Sequence, residues 1–124
     1  PLYSSAASDV YKRQARFFVT EIIREKILLY YQKEIPYAVE VVVELFKEDD
    51  ELIHIKALII VERDTQKGII IGHQGQALKK VGAMARKDIE RFFGKKVFLE
   101  MFVKVEKDWR NRDNILKNFG YQLD

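Results

Sequence analysis

The most informative stretch of the sequence is Lys67-Gly68-Ile69-Ile70-Ile71-Gly72-His73-Gln74-Gly75, which is followed by Gln76-Ala77-Leu78-Lys79-Lys80-Val81-Gly82. The glycine pair Gly72 and Gly75 lets the backbone turn sharply and leaves no β-carbons to hold a ligand away. Amides at the start of the following helix, together with its dipole, favour an anion at this place. Most Gly-x-x-Gly pairs are merely turns, but here Lys79 and Lys80 follow one helical turn later. The stretch therefore predicts a phosphate-binding loop between two helices.

Apolar periodicity predicts the elements that follow the loop. Helical spacing over residues 76–93 predicts a long helix, which Gly94 would end. Alternation over residues 97–105 then predicts a strand. A short helix is expected from about Asp108, where Trp109 either packs against the sheet or stacks on a base. The apolar positions of the long helix are Leu78, Val81, Ala85, Ile89 and Phe92.

Four further elements and a turn are predicted before the loop. A helix begins near Phe17 and ends before Pro36, because a proline ring is costly inside a helix. Period-two patterns predict strands over residues 39–45 and 53–61, joined by an acidic hairpin turn, and residues 65–71 form a short helix. The expected core positions of the first helix and first strand are Phe18, Ile22, Ile23, Ile27, Tyr30, Tyr31, Val39, Val41, Val43 and Leu45.

This order of elements defines an α+β fold. The hairpin pairs the first two strands antiparallel, and the crossover through helices permits the second and third strands to pair in parallel. The result is a three-stranded mixed sheet with helices packed on one face and the Gly-x-x-Gly loop between two helices. Residues 1–14 have no sustained apolar period, so we interpret them as a disordered or non-native leader and assign residues 15–124 to one domain.

Charge is distributed unevenly along the 124 residues. The net charge is only +3, yet residues 66–112 carry twelve Lys and Arg against five Asp and Glu, whereas residues 15–65 carry seven against eleven. A basic half around the loop indicates a polyanionic partner, or else a solvated lysine-rich helix face. The absence of cysteine excludes disulfides and thiolate metal sites. The two histidines, His54 and His73, lie on different predicted elements, so no metal or other cofactor is expected.

The loop and its surroundings resemble the KH domain of the Era GTPase family. The resemblance rests on residues 67–82 and on flanking stretches, and it extends over about residues 16–124. The flanking stretches are Phe17-Phe18-Val19-Thr20-Glu21-Ile22-Ile23-Arg24, Glu34-Ile35-Pro36-Tyr37, Val61-Glu62-Arg63-Asp64, Val103-Lys104-Val105 and Asp108-Trp109-Arg110. The resemblance implies a type II KH domain that binds single-stranded RNA.

The same resemblance implies roles for individual residues. The loop residues Gly72, His73, Gln74 and Gly75 would grip backbone phosphates. Ile70 and Ile71 would border the groove that holds the bases, and Lys79 and Lys80 would add positive potential. Many relatives place a lysine between the two glycines, whereas this chain has a histidine and a glutamine there. That difference weakens the electrostatic contribution of the loop or makes it depend on pH.

Partners and location also follow from the resemblance. Era proteins join a GTPase to this domain and act in small ribosomal subunit assembly, near the 3′ end of the small-subunit ribosomal RNA. The implied partners are therefore this RNA, the small subunit and a GTPase domain, in the cytoplasm with peripheral contact to the inner membrane. The chain itself contains no Gly-x-x-x-x-Gly-Lys-Ser/Thr, so nucleotide hydrolysis is not assigned to it. The alternative function is a protein- or membrane-docking module that uses the basic helix.

Overall fold

The structure is a computed structural model that describes residues 2–107, with side chains from residue 8 onward. Two short 3-10 turns occupy Ile35–Tyr37 and His73–Gly75. The predicted C-terminal helix, including Trp109, lies outside the described residues. The helices are α1 (Leu2–Tyr30), α2 (Asp64–Ile71) and α3 (Gln76–Phe93), and the strands are β1 (Glu40–Glu48), β2 (Leu52–Val61) and β3 (Lys96–Val105).

The sheet has the order β1-β2-β3, and its pairing confirms the predicted topology. Strands β1 and β2 are antiparallel, while β2 and β3 are parallel, with Ile55 opposite Leu99. In the hairpin turn, the Asp49 carboxylate accepts hydrogen bonds from the amides of Glu51 at 3.0 Å and Leu52 at 2.9 Å. The acidic run therefore serves as the turn that joins two strands.

The main core lies between the sheet and the helices α1 and α3. Alternate residues of the strands and one stripe of each long helix are buried there, as the periodicity predicted. A smaller buried cluster, Val42, Leu58 and Ile60, lies on the opposite face of the sheet. Among residues 2–107, no helix is both long and apolar enough to cross a membrane. The fully buried large side chains are Val19, Ile23, Ile27, Val41, Ile53, Ile55, Ile59, Ile60, Val61, Ile70, Val81 and Ile89.

A β-bulge changes the inward-facing set of β1. The register with β2 shifts between Val43 and Leu45, so that Phe46 becomes buried and Leu45 only partly buried. The prediction that Leu45 continues the core pattern is therefore wrong. An extra residue in one strand reverses the side-chain alternation beyond it, because successive side chains of a strand point to opposite faces.

The first helix is longer than its apolar pattern indicated. Helix α1 begins at Leu2, so the structure places residues 2–14 in a helix, whereas the pattern had suggested a segment without regular structure. No glycine or proline interrupts residues 2–30, and the Tyr11 hydroxyl donates a 2.7 Å hydrogen bond to the Glu48 carboxylate across the hairpin. The non-native origin of this segment and a domain boundary at residue 15 stay predictions.

Three aromatic side chains expected in the core lie at its rim. Phe18 is 42% exposed, Tyr30 38% and Phe92 53%, whereas Val19 takes a fully buried position on α1. The rings of Phe18 and Phe92 contact each other with centroids 4.7 Å apart. They partly cover one another where α1 meets α3, because both project from the sides of the buried stripes.

Candidate nucleic-acid interface

The Gly-x-x-Gly loop is a tight left-handed turn between α2 and α3. Gly72 has φ 76° and ψ −178°, Gln74 has φ 54° and ψ 29°, and Gly75 has φ 76° and ψ 9°. The Gly72 amide closes α2 through a 2.9 Å hydrogen bond to the carbonyl of Gly68. Three positive φ values in four residues reverse the chain within a single turn, so that α3 starts immediately at Gln76.

The two glycines meet different needs. A β-carbon at Gly72 would lie 2.6 Å from the Ala77 β-carbon, so the first glycine lets the loop pack against the start of α3. A β-carbon at Gly75 would meet nothing within 4 Å, so the second glycine supplies backbone conformation and leaves open surface. Only the open surface at Gly75 agrees with a loop whose backbone is approached closely by a ligand, because the need at Gly72 is internal packing.

The other residues predicted to bind RNA near the loop end of α3, where the helix begins, are exposed, and none of them is acidic. His73, Gln74, Lys79 and Lys80 all have exposed side chains. Among residues 8–107, no carboxylate lies within ion-pair distance of Lys79 or Lys80. Their positive charge therefore faces solvent without local compensation in this part of the chain, which favours an anionic ligand.

The two isoleucines predicted to border the groove have different environments. Ile71 is partly buried, whereas Ile70 is fully buried in the main core, where its side chain cannot contact a bound base directly. The buried Tyr31 hydroxyl donates a hydrogen bond to the Ile70 carbonyl, and burial raises the pKa of that hydroxyl to about 12. Ile70 therefore anchors α2 beneath the loop, which corrects its predicted role at the groove surface.

A groove of about 360 Å³ runs from the loop between α3 and β3. Apolar side chains of Leu78, Leu99 and Met101 lie in it, and the basic side chains of Lys79 and Arg86 border it. Its full lining is Gly75, Leu78, Lys79, Gly82, Ala83, Arg86, Leu99 and Met101. An apolar floor with a basic border suits flat bases linked by phosphates.

Sequence reasoning found Gly75 and Lys79 but missed most of the groove lining. The missed α3 residues were identifiable from their spacing, since positions 75, 79, 82 and 86 follow one another at three or four residues and so share a side of the helix. Leu99 and Met101 were assigned to the core by strand alternation. They are partly buried there and also reach the groove.

Possible metal ligands do not gather in the described part of the chain. Within it, no group of three His, Cys, Asp or Glu side chains could hold an ion. His54 lies on β2, where its Nε2 is 2.7 Å from the Glu100 carboxylate and its ring contacts Phe98. His73 lies on the loop, so the two histidines form no common site.

Comparison with known proteins agrees with this geometry. Residues 34–110 match the KH domain family. Era from Aquifex aeolicus bound to GDP·AlF4− is 40% identical, with a TM-score of 0.77. A structure of Era with MgGDPNP and nucleotides 1506–1542 of 16S ribosomal RNA is also 40% identical, with a TM-score of 0.78. Each match covers 86% of this chain and 36% of the other, so the chain spans about a third of the length of these proteins. The chain therefore belongs to the KH domain family, with the type II fold and in its Era-like form.

Proposed function

We propose that this domain binds single-stranded RNA, with phosphates at Gly72–Gly75 and bases in the groove between α3 and β3. The observation that carries the proposal is continuity, because Gly75 belongs both to the loop and to the groove lining. An RNA strand whose phosphates lie at the loop would therefore have its bases directly above the floor of the groove. Bases stacked in a duplex are not available for such a groove.

Electrostatics support the same ligand. Lys79 and Lys80 follow the loop within two turns of α3, are exposed and have no carboxylate partner among residues 8–107. Cationic side chains that have no protein partner exchange counterions for phosphates when RNA binds, which lowers the free energy of the complex. The domain thus offers a positive border at the end of the groove where the phosphates would lie.

The relatives suggest which RNA is bound. An Era protein has been solved with a fragment of 16S ribosomal RNA, and this chain is similar to about a third of that protein. We propose that the partner is the small-subunit ribosomal RNA near its 3′ end, during assembly of the small subunit in the cytoplasm. We further propose that the domain acts together with an Era-like GTPase domain and contributes no catalytic group itself.

One experiment tests the binding mode and another tests the target. Single-stranded RNA of four or more nucleotides should bind more tightly than the same sequence annealed to its complement. Equal or tighter duplex binding would contradict the groove mode and indicate nonspecific charge. Crosslinking the domain to total bacterial RNA should enrich the 3′ region of the small-subunit ribosomal RNA, and enrichment elsewhere would contradict the proposed target.

The alternative function, docking of the basic helix on a membrane, is tested in the same buffer. Anionic liposomes present negative charge without bases, so they should bind more weakly than single-stranded RNA and compete poorly with it. Tighter binding to liposomes, lost on substitution of Lys79 and Lys80, would favour the docking function instead.

A further inference from the structure

Two aromatic rings are exposed on the face of the sheet that points away from the helices. Leu99 and Met101 of β3 pack against the main core. Because side chains of a strand alternate, Phe98 and Phe102 point to the opposite, outer face. Phe98 is 53% exposed and Phe102 is 45% exposed. The two lie about 13 Å apart along the strand, so they form two separate flat surfaces.

Side chains of β2 hold both rings in place. His54 lies opposite Phe98, and the centroids of their rings are 5.0 Å apart. Nζ of Lys56 lies 5.5 Å from the centroid of the Phe102 ring, which is a cation–π distance. We call these four side chains the outer platform. Because the positions of both rings are set before a ligand arrives, less conformational freedom is lost on binding.

Positive charge lies on and beside the outer platform. Lys47, Lys56 and Lys96 each alternate with buried core residues and therefore point to the outer face. Among residues 8–107, no carboxylate lies within ion-pair distance of any of the three. Glu100 lies between the two rings, where its carboxylate is 2.7 Å from Nε2 of His54. Aromatic rings beside unpaired cations are the combination that binds single-stranded nucleic acid without sequence preference.

The outer platform and the groove lie on the two sides of one edge strand. Strand β3 is the last in the order β1-β2-β3, and no further strand covers its free edge in the described part of the chain. Leu99 and Met101 line the groove on one side, while Phe98 and Phe102 alternate with them on the other. An RNA strand that leaves the groove would therefore reach the rings by crossing this edge alone.

We propose that the outer platform is a second contact surface for the same single-stranded RNA, with bases stacked on Phe98 and Phe102. This inference rests on the proposed RNA-binding function and extends it to a longer stretch of RNA. Every base has a flat π-face, so stacking selects single strands but no particular base. In a duplex these faces are hidden within its own stack. A protein partner fits less well, because Lys56 and Glu100 interrupt the apolar surface between the rings.

The test uses the full chain and two RNAs of equal length and charge. Both contain the same central stretch of about four nucleotides, which is the length that a KH groove holds. The flanking nucleotides carry bases in one RNA and are abasic in the other, so only the first can stack outside the groove. The RNA with bases should bind about tenfold more tightly to the unsubstituted protein.

Phe98→Leu combined with Phe102→Leu removes both rings but keeps apolar side chains. This variant should bind the two RNAs with nearly equal affinity, and its affinity for the abasic RNA should stay unchanged. Replacing both residues by tyrosine keeps the rings, so that variant should retain the preference for bases. Phe17→Leu is the matched control, because Phe17 is 60% exposed but lies on α1, and it should leave the preference unchanged.

Two further measurements address stacking and charge. 2-Aminopurine placed in the flank should lose fluorescence on binding, because stacking on an aromatic ring quenches it, and the double leucine variant should remove this loss. Glu100→Gln removes a negative charge between the rings, while its amide oxygen still accepts a hydrogen bond from His54. Affinity for the RNA with bases should therefore rise.

The outcomes separate this inference from the proposed function. If the unsubstituted protein binds neither RNA, the proposed function fails and the inference fails with it. If it binds both RNAs equally, or if the double leucine variant keeps the preference for bases, only the inference fails. Self-association in sedimentation that is lost in the double leucine variant would assign the outer platform to a second copy of the chain and would also overturn the inference.

Discussion

The two ends of α3 differ in how their positive charges are compensated. At the loop end, Lys79 and Lys80 have no carboxylate within ion-pair distance among residues 8–107. At the far end, Arg86 and Arg91 pair with carboxylates of the same helix at 3.1 and 3.3 Å. Just beyond it, the Lys95 Nζ lies 2.6 Å from the Glu48 carboxylate, which joins the end of α3 to the hairpin.

This difference separates two uses of the same residue types. A paired charge is already neutralised by the protein, so its main effect is on how the elements are held together. A charge without a partner adds little to stability but raises the positive potential that a polyanion meets. The loop end is therefore expected to control RNA affinity, and the far end is expected to control stability and the geometry of the groove.

Adding negative charge at the loop end should have the largest effect. His73→Asp combined with Gln74→Asp puts two carboxylates at the proposed phosphate site, and aspartate tolerates the positive φ of residue 74. RNA affinity should fall about a hundredfold, or roughly 2.7 kcal/mol, with little change in the thermal midpoint. Fluorescence anisotropy and circular dichroism measure the two quantities.

The neutral control for that variant replaces both loop residues by asparagine. It keeps the side-chain size and backbone preference of aspartate without the charge, so its affinity should stay close to that of the unsubstituted protein. An Asp variant that is folded and binds RNA as tightly as the Asn variant would refute the loop as the phosphate site.

Neutralising the loop-end lysines should change the salt dependence of binding. If both lysines contact phosphates as we propose, Lys79→Gln with Lys80→Gln removes two such contacts, and the slope of log affinity against log salt should shrink by about 1.4. The free energy of unfolding should hardly change, because neither lysine has a carboxylate partner in the described chain. Binding of two unrelated RNA sequences across a salt series provides the measurement.

The matched double variant at the far end is Arg91→Gln with Lys95→Gln. Arg91 lies about 16 Å along the helix from Lys80, which exceeds the screening length of about 8 Å at physiological salt. The salt slope should therefore be preserved, while stability falls by up to about 1 kcal/mol in urea unfolding. A larger change of the salt slope in the far-end variant than in the lysine variant would contradict the assignment of RNA affinity to the loop end of α3.

Gly82→Ala should move stability and binding in opposite directions. Alanine is favoured over glycine inside a helix by up to about 1 kcal/mol, and the added methyl would touch only the flexible end of Met101. The same methyl enters the groove, so RNA affinity should fall several-fold. Chemical unfolding tests the expected rise in stability, and fluorescence anisotropy on the same preparation tests the expected fall in RNA affinity. An unchanged affinity would mean that the bases do not pass over Gly82.

The smallest expected effect is on the pH dependence of stability. The hydrogen bond from Val97 lowers the pKa of the Glu90 carboxyl below its usual 4.5, and the Lys26 hydrogen bond lowers that of Asp88 below 3.8. Each carboxyl binds protons more readily in the unfolded chain. The stability that these two carboxylates contribute is therefore fully present above their usual pKa values. It is lost as the pH falls through their lowered pKa values in the folded protein.

Urea unfolding at pH 7 and pH 3 measures this loss, and Glu90→Gln provides its control. The variant has no carboxyl to protonate at that position, so its stability should fall less between the two pH values. A loss as large as in the unsubstituted protein would show that Glu90 does not contribute to the acid sensitivity of the far end.

Much of the fold was predictable because its signals are local. Proline at residue 36, glycine at 94 and the change from helical to alternating spacing placed most element boundaries within a few residues, but not the start of α1, which lies at Leu2 and not near Phe17. Strand order followed from the hairpin and the helical crossover. The β-bulge near Leu45 was not predictable, since every residue from Val41 to Phe46 except Glu44 is apolar and either register fits that run.

The loop, the lysines beside it and the helices that flank it could be predicted from sequence, because turns and periodicity depend on neighbours along the chain. The burial of Ile70 beneath the loop and the position of Arg86 in the groove lining depend on tertiary packing, which local sequence does not reveal. Helix α3 has one side on the core, one toward β3 and one toward solvent, and its periodicity distinguishes only the first. Packing against β3, fixed in part by Glu90 and Val97, selects which of its polar residues meet a ligand.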